Sequence, residues 1–287
     1  FIAKNTRIKG SVKAKNEAIK LTFSSPKVIA YGNVIDSVSL RMDTKNTLYN
    51  THLTASKITT KYYNVEKFNL LNVTKNDTLF FKSEFKGAVG NKETFNMDFF
   101  YTVDENKKSV LGIQKSTFDF EENIWRINPA DNTENKVVFD VVKKEFKFSP
   151  FHLKSNEQEI AFEGVVRDST YKDLKIDFVK VKLASFLPPI DSLSLNGRLN
   201  GNFIQKEGLY SPEGDLSISN FKINSFEHGH LDLRVKGVNS YEKYAVELML
   251  RNAGNNSIYA KGYVDFSSQR PTLDLNLHLH KFKLNAF

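Results

Sequence analysis

The sequence predicts an all-β chain: a long twisted sheet with one apolar face and one wet face. Three observations predict it. Apolar residues fill every second position in segment after segment. Leu273, Leu275, Leu277 and Leu279, for example, alternate with Asp274, Asn276, His278 and His280, and successive strand side chains face opposite sides. The 24 Phe and 11 Tyr, against a single Trp, suit pleated, half-buried surfaces. Only residues 183–190 read as helix, and Pro188 and Pro189 end that segment within a turn.

Along the chain, residues 8–73 carry short strands around Val12, Ile19-Leu21-Phe23 and Val38-Leu40-Met42, with Ser24-Ser25-Pro26, Gly32-Asn33 and Lys45-Asn46 as turns. Leu79-Phe81 and Phe95-Met97-Phe99-Tyr101-Val103 follow, with a break at Gly87 and Gly90. Asp104-Glu105-Asn106-Lys107-Lys108 reads as a hairpin loop before Val110-Leu111. Strand candidates continue at Phe118-Asp119-Phe120, Ile124-Trp125-Arg126-Ile127, Val137-Phe139-Val141, Phe146-Phe148, Ile160-Phe162 and Leu174-Ile176-Phe178. Turn signals every ~8–12 residues are those of an all-β chain. At 178–181 the apolar phase slips by one residue, which a bulge or a strand crossing between faces would produce. Residues 183–190 are either a small plug or a surface connection, and Pro188-Pro189 marks a sub-boundary.

Past Asp191 the alternation is cleaner. Leu193, Leu195, Leu199 and Phe203 share a face with Gly197 and Gly201. Leu216 and Ile218, then Leu231, Leu233 and Val235, then Val246, Leu248 and Leu250 repeat the pattern before Leu273, Leu275, Leu277 and Leu279. These sixteen leucine, isoleucine, valine and phenylalanine residues are the candidate apolar wall. Glycine weakens a strand unless it permits tight bending or close approach of another backbone, so the sheet is expected to roll sharply. At ~10–12 residues per strand and turn, about 24–29 strands are expected. Stacked ~4.8 Å apart, they would extend ~115–140 Å. An open sheet of that size must roll, split or stack. A rolled sheet with an apolar inner face is a trough, either closed by its own side chains or open to an apolar ligand.

Bulk properties narrow the function. Hydrophobic residues make up 40% of 287 and the mean hydropathy is -0.41, low for a thick closed core. The net charge of +8 is scattered along strands, where lysines solvate a face and guard edges and also attract an anionic membrane surface. Nucleic acid is not expected as a partner, since no basic block exceeds a short pair. There is no cysteine, hence no disulfide, thiol nucleophile or thiolate metal site. No run approaches the ~20 apolar residues of a membrane-spanning helix. The start at Phe1 and the end at Phe287 in mid-pattern read as one elongated segment, 1–287, of a longer chain.

No catalytic set emerges, and neither an enzyme, a cofactor nor a metal is expected. His278 and His280 share a strand face, but no Cys or third His lies near in sequence, so they read as exposed outer-face residues. His228 and His230 flank Gly229 in what reads as a turn. Glu121, Glu122, Glu157 and Glu159 read as solvation, and no P-loop, GxSxG or dinucleotide fingerprint occurs. What remains is apolar surface. Acyl chains need only a dry wall of CH groups. At ~0.8 kcal/mol per methylene, about 16 carbons gain on the order of 10 kcal/mol before association costs.

Residues 124–287 carry a further pattern. Ile124-Trp125-Arg126-Ile127-Asn128-Pro129 precedes Phe146-Lys147-Phe148, and Gly164 precedes Leu174-Lys175-Ile176. Leu183-Ala184-Ser185-Phe186-Leu187-Pro188 leads into Leu195-Asn196-Gly197-Arg198-Leu199-Asn200-Gly201. Pro212-Glu213-Gly214-Asp215-Leu216-Ser217-Ile218-Ser219-Asn220-Phe221-Lys222-Ile223-Asn224 runs on to Gly229-His230-Leu231. Asn252, Ile258-Tyr259-Ala260-Lys261-Gly262 and Leu284-Asn285-Ala286-Phe287 complete it. In this combination the chain resembles the TamB and AsmA-like envelope proteins of Gram-negative bacteria, in a Lys-, Asn- and Phe-rich style similar to the Bacteroidetes versions. The resemblance implies an open β-taco groove with an apolar interior, in a periplasmic chain anchored in the inner membrane and reaching the outer membrane. It implies phospholipid acyl chains as cargo, and an outer-membrane β-barrel protein as a partner in barrel-protein assembly. From the residues alone a structural β-sandwich or solenoid that binds partners through strand edges stands beside it. A polysaccharide-acting enzyme would need aromatic platforms and close carboxylates, and one Trp speaks against that.

Overall fold

The computed structural model describes residues 3–16, 18–61, 63–87, 93–120, 123–167, 171–185, 194–205, 212–224, 226–238, 242–252, 257–268 and 270–281. The chain divides into two compact units, Phe1–Asp140 and Val141–Phe287. Pro188 and Pro189, the expected sub-boundary, lie outside the described residues, as do Gly90, Glu121 and Glu122.

The first unit holds β1 (Arg7–Lys13), β2 (Ala18–Ala30), β3 (Asn33–Asp43), β4 (Thr51–Thr59), β5 (Asn64–Lys75), β6 (Thr78–Gly87), β7 (Glu93–Val103), β8 (Ser109–Ile113), β9 (Ser116–Phe120), β10 (Asn123–Ile127) and β11 (Lys136–Asp140). β1 to β7 form an antiparallel meander in which each strand pairs with the next. β7 then pairs with both β8 and β9, which in turn carry β11 and β10. The second unit is a meander of β12 (Glu145–Ser155), β13 (Gln158–Arg167), β14 (Tyr171–Lys182), β15 (Leu195–Gln205), β16 (Glu213–Ile223), β17 (Phe226–Gly237), β18 (Lys243–Arg251), β19 (Ser257–Asp265) and β20 (Thr272–His280). Every pairing in it between consecutive strands is antiparallel.

The all-β expectation therefore holds. The strand count does not: twenty strands appear among the described residues. Strands run longer than expected because irregularities inside them read as breaks in the sequence. Ser24-Ser25-Pro26, read as a turn, lies within β2. Proline lacks the ladder N–H and is confined to edges or irregular positions in a sheet, and here an irregular line accommodates it. The flanking register sets Pro26 across from Ser37, Ser37 from Ser56, and Ser56 from Lys67. Ser37 (φ 52) and Lys67 (φ 53) are left-handed. Ser25 Oγ donates to Lys27 O at 2.9 Å and Ser56 Oγ to Asp36 O at 3.1 Å, so hydroxyls take up carbonyls along this line.

Other local readings resolve similarly. The phase slip at 178–181 is a bulge: the register shifts between Phe178 and Val181. Lys180 is left-handed (φ 49) and its N–H donates to Asn200 Oδ1 at 2.8 Å. The loop at Asp104 is held by its own carboxylate, which accepts from the N–H groups of Asn106 and Lys108 at 2.9 and 2.8 Å. The close backbone approach expected at glycines occurs at Gly201. Its φ is +123, and a Cβ there would lie 2.1 Å from Asp215 O.

Aromatic residues hold the first unit. Phe68, Phe85, Phe95, Phe118 and Trp125 form a ladder across β5, β6, β7, β9 and β10, with successive centroids 6.2, 4.6, 5.6 and 6.4 Å apart. Such pairs contribute ~0.5–1.5 kcal/mol each beyond area burial. The ladder ends on Trp125, which is 1% exposed.

Gly201→Ala should lower stability by about 2–3 kcal/mol, since the backbone conformation and the approach of β16 both exclude a Cβ. Gly10→Ala should be near neutral, because its Cβ would meet Lys20 O at an ordinary 3.5 Å. Denaturant midpoints check the pair. Asp98 supplies a pH test. Burial pushes its carboxyl above the usual range, against the pull of Lys82. The folded chain therefore binds this proton more tightly than the unfolded chain, and the stability it brings is lost as pH rises through the raised pKa. Asp98→Asn should raise the unfolding midpoint at pH 7 and leave it unchanged below about pH 3.

Candidate functional site

Register in the second unit assembles the apolar wall. One row runs Leu199, Ile218, Leu231, Leu250, Ile258, Leu279, each residue opposite the next across β15 to β20. The second runs Gly201, Leu216, Leu233, Leu248, Ala260, Leu277, and the third Phe203, Gly214, Val235, Val246, Gly262, Leu275. β14 extends all three with Val181, Phe178 and Ile176. Leu195 faces Ile223, and Leu273 faces Val264. The candidate residues thus share one face, except Leu193, which lies outside the described residues. The three rows carry no charged side chain. Seven strands at ~4.8 Å spacing make the wall about 29 Å long across the strands.

Burial falls along this face. Ile218, Leu231 and Leu250 are buried and form a cluster with Leu183 and Phe221. Leu195, Leu199, Phe203, Leu216, Leu233, Val235, Val246, Leu248 and Leu275 are half-buried. Leu273, Leu277 and Leu279 of β20 are exposed, at 67%, 60% and 51%. Glycines shape the middle. A Cβ on Gly214 would lie 2.8 Å from the Val235 side chain and 3.1 Å from the Phe203 ring. Those two side chains close over the gap that glycine leaves, and the row stays apolar without a bump.

Sequence reasoning left several wall residues off the candidate set. Ile176, Phe178 and Val181 belong to it, and Val181 is fully buried. The phase slip hid them, since strict alternation sets Val181 on the opposite face from Phe178. Leu183 belongs to the segment that reads from sequence as a plug or a connection. It sits in a single 3-10 turn, Leu183–Ser185, with its side chain packed into the buried cluster.

The opposite face is wet and its charges pair across strands. Lys236 meets Glu213 at 2.8 Å, Arg234 meets Asp215 at 3.8 Å, and Arg251 and His230 both meet Asp232. Tyr259 OH donates to Glu247 Oε1 at 3.1 Å. Exposed pairs of this kind contribute ~0–1 kcal/mol each. His278 and His280 are exposed on this face of β20. His228 departs from its reading: it lies inside β17, not in a turn, and is buried beside Phe221. The strand is irregular there: Gly229 is at φ +95 and the register with β16 shifts on both sides of the Phe221–Gly229 pair. Glu159 is less free than expected. Burial works against its charge, but hydrogen bonds from His152 and Lys154 prevail and hold its carboxyl below the usual range. Among the described residues no group of three or more His, Cys, Asp or Glu could hold a metal.

The gradient gives a test by chemical denaturation. Leu183→Ala should cost about 2–4 kcal/mol, and Leu277→Ala, on the exposed end of the same face, within about 0.5 kcal/mol.

No protein-family model, curated protein or solved structure matches this chain.

Proposed function

We propose that this chain is a segment of a TamB-like envelope protein that conducts phospholipids along an apolar groove, supports outer-membrane protein assembly, or does both. In this reading it works in the periplasm, joined to the inner membrane through a further segment of the protein, and is not an enzyme. The observation that carries the reading is the set of three charge-free rows spanning β14 to β20: beyond the buried middle of the first row, Leu216, Leu233, Leu248, Val235 and Val246 stay half-buried and the β20 end is exposed. A face that is apolar and continuous yet incompletely buried has free energy left to gain from an apolar guest. The guest needs no specific partner, so acyl chains fit and a polar substrate does not. Generic contacts also let a chain slide, because each step exchanges one methylene contact for an equal one.

The test is native mass spectrometry with lipid extraction on the chain purified from a Gram-negative envelope. Co-purifying phospholipid is expected, and so is uptake of a fluorescent phospholipid by the lipid-free chain. Leu199→Arg and Leu248→Arg each set a charge in the rows at ~2–4 kcal/mol or more of desolvation, and should abolish uptake while the far-UV circular dichroism stays that of sheet. Normal uptake by both folded variants would sink the groove reading.

A second reading rests on β20. Among the described residues it pairs only with β19, and its exposed leucines present an edge suited to strand addition. In that case the chain is a structural interaction module, lipid-free and monodisperse, and bound peptide rather than lipid would protect the β20 amides from hydrogen exchange.

A further inference from the structure

The polar side of β1 to β4 carries a charge pattern that the sheet does not use. Pairing sets Arg7 opposite Ser24, Lys9 opposite Thr22 and Ser11 opposite Lys20. The next ladder sets Ser24 opposite Ser39, Thr22 opposite Arg41 and Lys20 opposite Asp43. β4 adds Thr54 and His52 across from Ser39 and Arg41. Five cations, Arg7, Lys9, Lys13, Lys20 and Arg41, thus share one exposed face with a lattice of hydroxyls. The carboxylate among these positions, Asp43, is taken by Lys20 at 2.8 Å and by the N–H of Lys45 at 3.1 Å. Arg7, Lys9, Lys13 and Arg41 make no ion pair among the described residues.

Edge protection does not account for this. Lysine on an edge strand discourages sheet-to-sheet pairing, and β1 alone would need it. Arg41 sits on β3, which is paired on both sides. Nor does the face suit a single small anion, since the cations are spread over three strands rather than converging on a cleft. No aromatic ring lies at these register positions apart from His52, so bases would find no stacking platform. A flat field of cations and hydroxyls fits a flat field of phosphates.

We propose that this face docks on the surface of an anionic lipid bilayer, with Arg7, Lys9, Lys13 and Arg41 on headgroup phosphates and the hydroxyls of Ser24 and Ser39 donating between them. The inference goes beyond the groove reading and is independent of it. It uses a polar face of the first unit, and headgroups instead of acyl chains.

Co-flotation with vesicles tests it. The chain should float with phosphatidylcholine vesicles containing about one-third phosphatidylglycerol, and not with phosphatidylcholine alone. Binding should vanish near 1 M salt, where the screening length falls to about 3 Å. Arg7→Gln/Lys9→Gln/Arg41→Gln removes three exposed, unpaired cations and should weaken binding on the order of a hundredfold. Arg7→Lys/Arg41→Lys keeps the charge and should bind as the unaltered chain does. Lys147→Gln/Lys261→Gln/Arg270→Gln removes the same net charge from the second unit and should also bind normally. Equal weakening by the two glutamine triples, or none by the first, would overturn the proposal. So would tighter binding to duplex DNA than to the anionic vesicles at the same salt, which would make the partner a nucleic acid.

Discussion

A sheet has an apolar face only if every strand keeps its pairing to the residue. The side-chain period is two, so a slip of one position moves a whole strand's leucines into water. In the second unit this constraint binds β14 to β20 together, because each row is one residue per strand. Leu231 lies in its row only because β16 holds Ile218 opposite it and β18 holds Leu250 opposite it. The wet face enforces the same register from the other side. Glu213 with Lys236 and Asp215 with Arg234 lie directly across from each other, and a one-residue slip would turn these charges toward the apolar side. Each pair is too exposed to contribute much stability. Its effect lies in which alignment it penalises.

That constraint explains why the irregularities sit where they do. A bulge adds one residue to one strand and reverses its phase beyond that point. At Lys180 the reversal brings Val181 back to the face that Phe178 occupies, so the sequence slip and the structural bulge cancel. Asn220 (φ 52) performs the same correction in β16, after which Phe221 joins the buried cluster. Asn tolerates the left-handed conformation. Lys does so at a cost, which the Asn200 side chain offsets by accepting the Lys180 N–H.

Alternation made most of the second unit legible. From Leu195 to Leu279 the wall residues follow from period two alone, and their common face from the requirement that one side be dry. What the sequence hid was governed by residues that break the period. Val181 looked out of phase because a bulge has no unique residue signature. Pro26 looked like a turn because its accommodation depends on Ser37, Ser56 and Lys67, which lie in other strands. His228 looked exposed because a glycine beside a histidine reads as a turn, whereas here Gly229 lies at a register irregularity inside a continuing strand. The Phe95–Phe118 contact skips β8, since β7 pairs with both β8 and β9. No local pattern signals such a branch, so the aromatic ladder was visible only as an excess of phenylalanine.

Stability and an open apolar face pull against each other, and the burial gradient shows how one sheet meets both demands. If every row were as buried as Val181 and Leu250, the sheet would gain hydrophobic free energy and leave nothing for a guest. If every row were as exposed as Leu277, a single layer would lack the burial to offset chain entropy. The structure separates the two along the strands and across them. Near the Leu183 turn Ile218, Leu231 and Leu250 are closed and serve as the core, while Leu199 in the same row stays half-buried. Two residues along each strand, Leu216, Leu233 and Leu248 are still partly solvated. Glycines at Gly214 and Gly262 keep that part low without introducing polarity. Stability can therefore come from one margin of the face, while binding comes from the rest. A charge introduced at Leu248 falls on the binding part, and a cavity opened at Leu183 falls on the structural part. Two substitutions on one face thus have separable consequences.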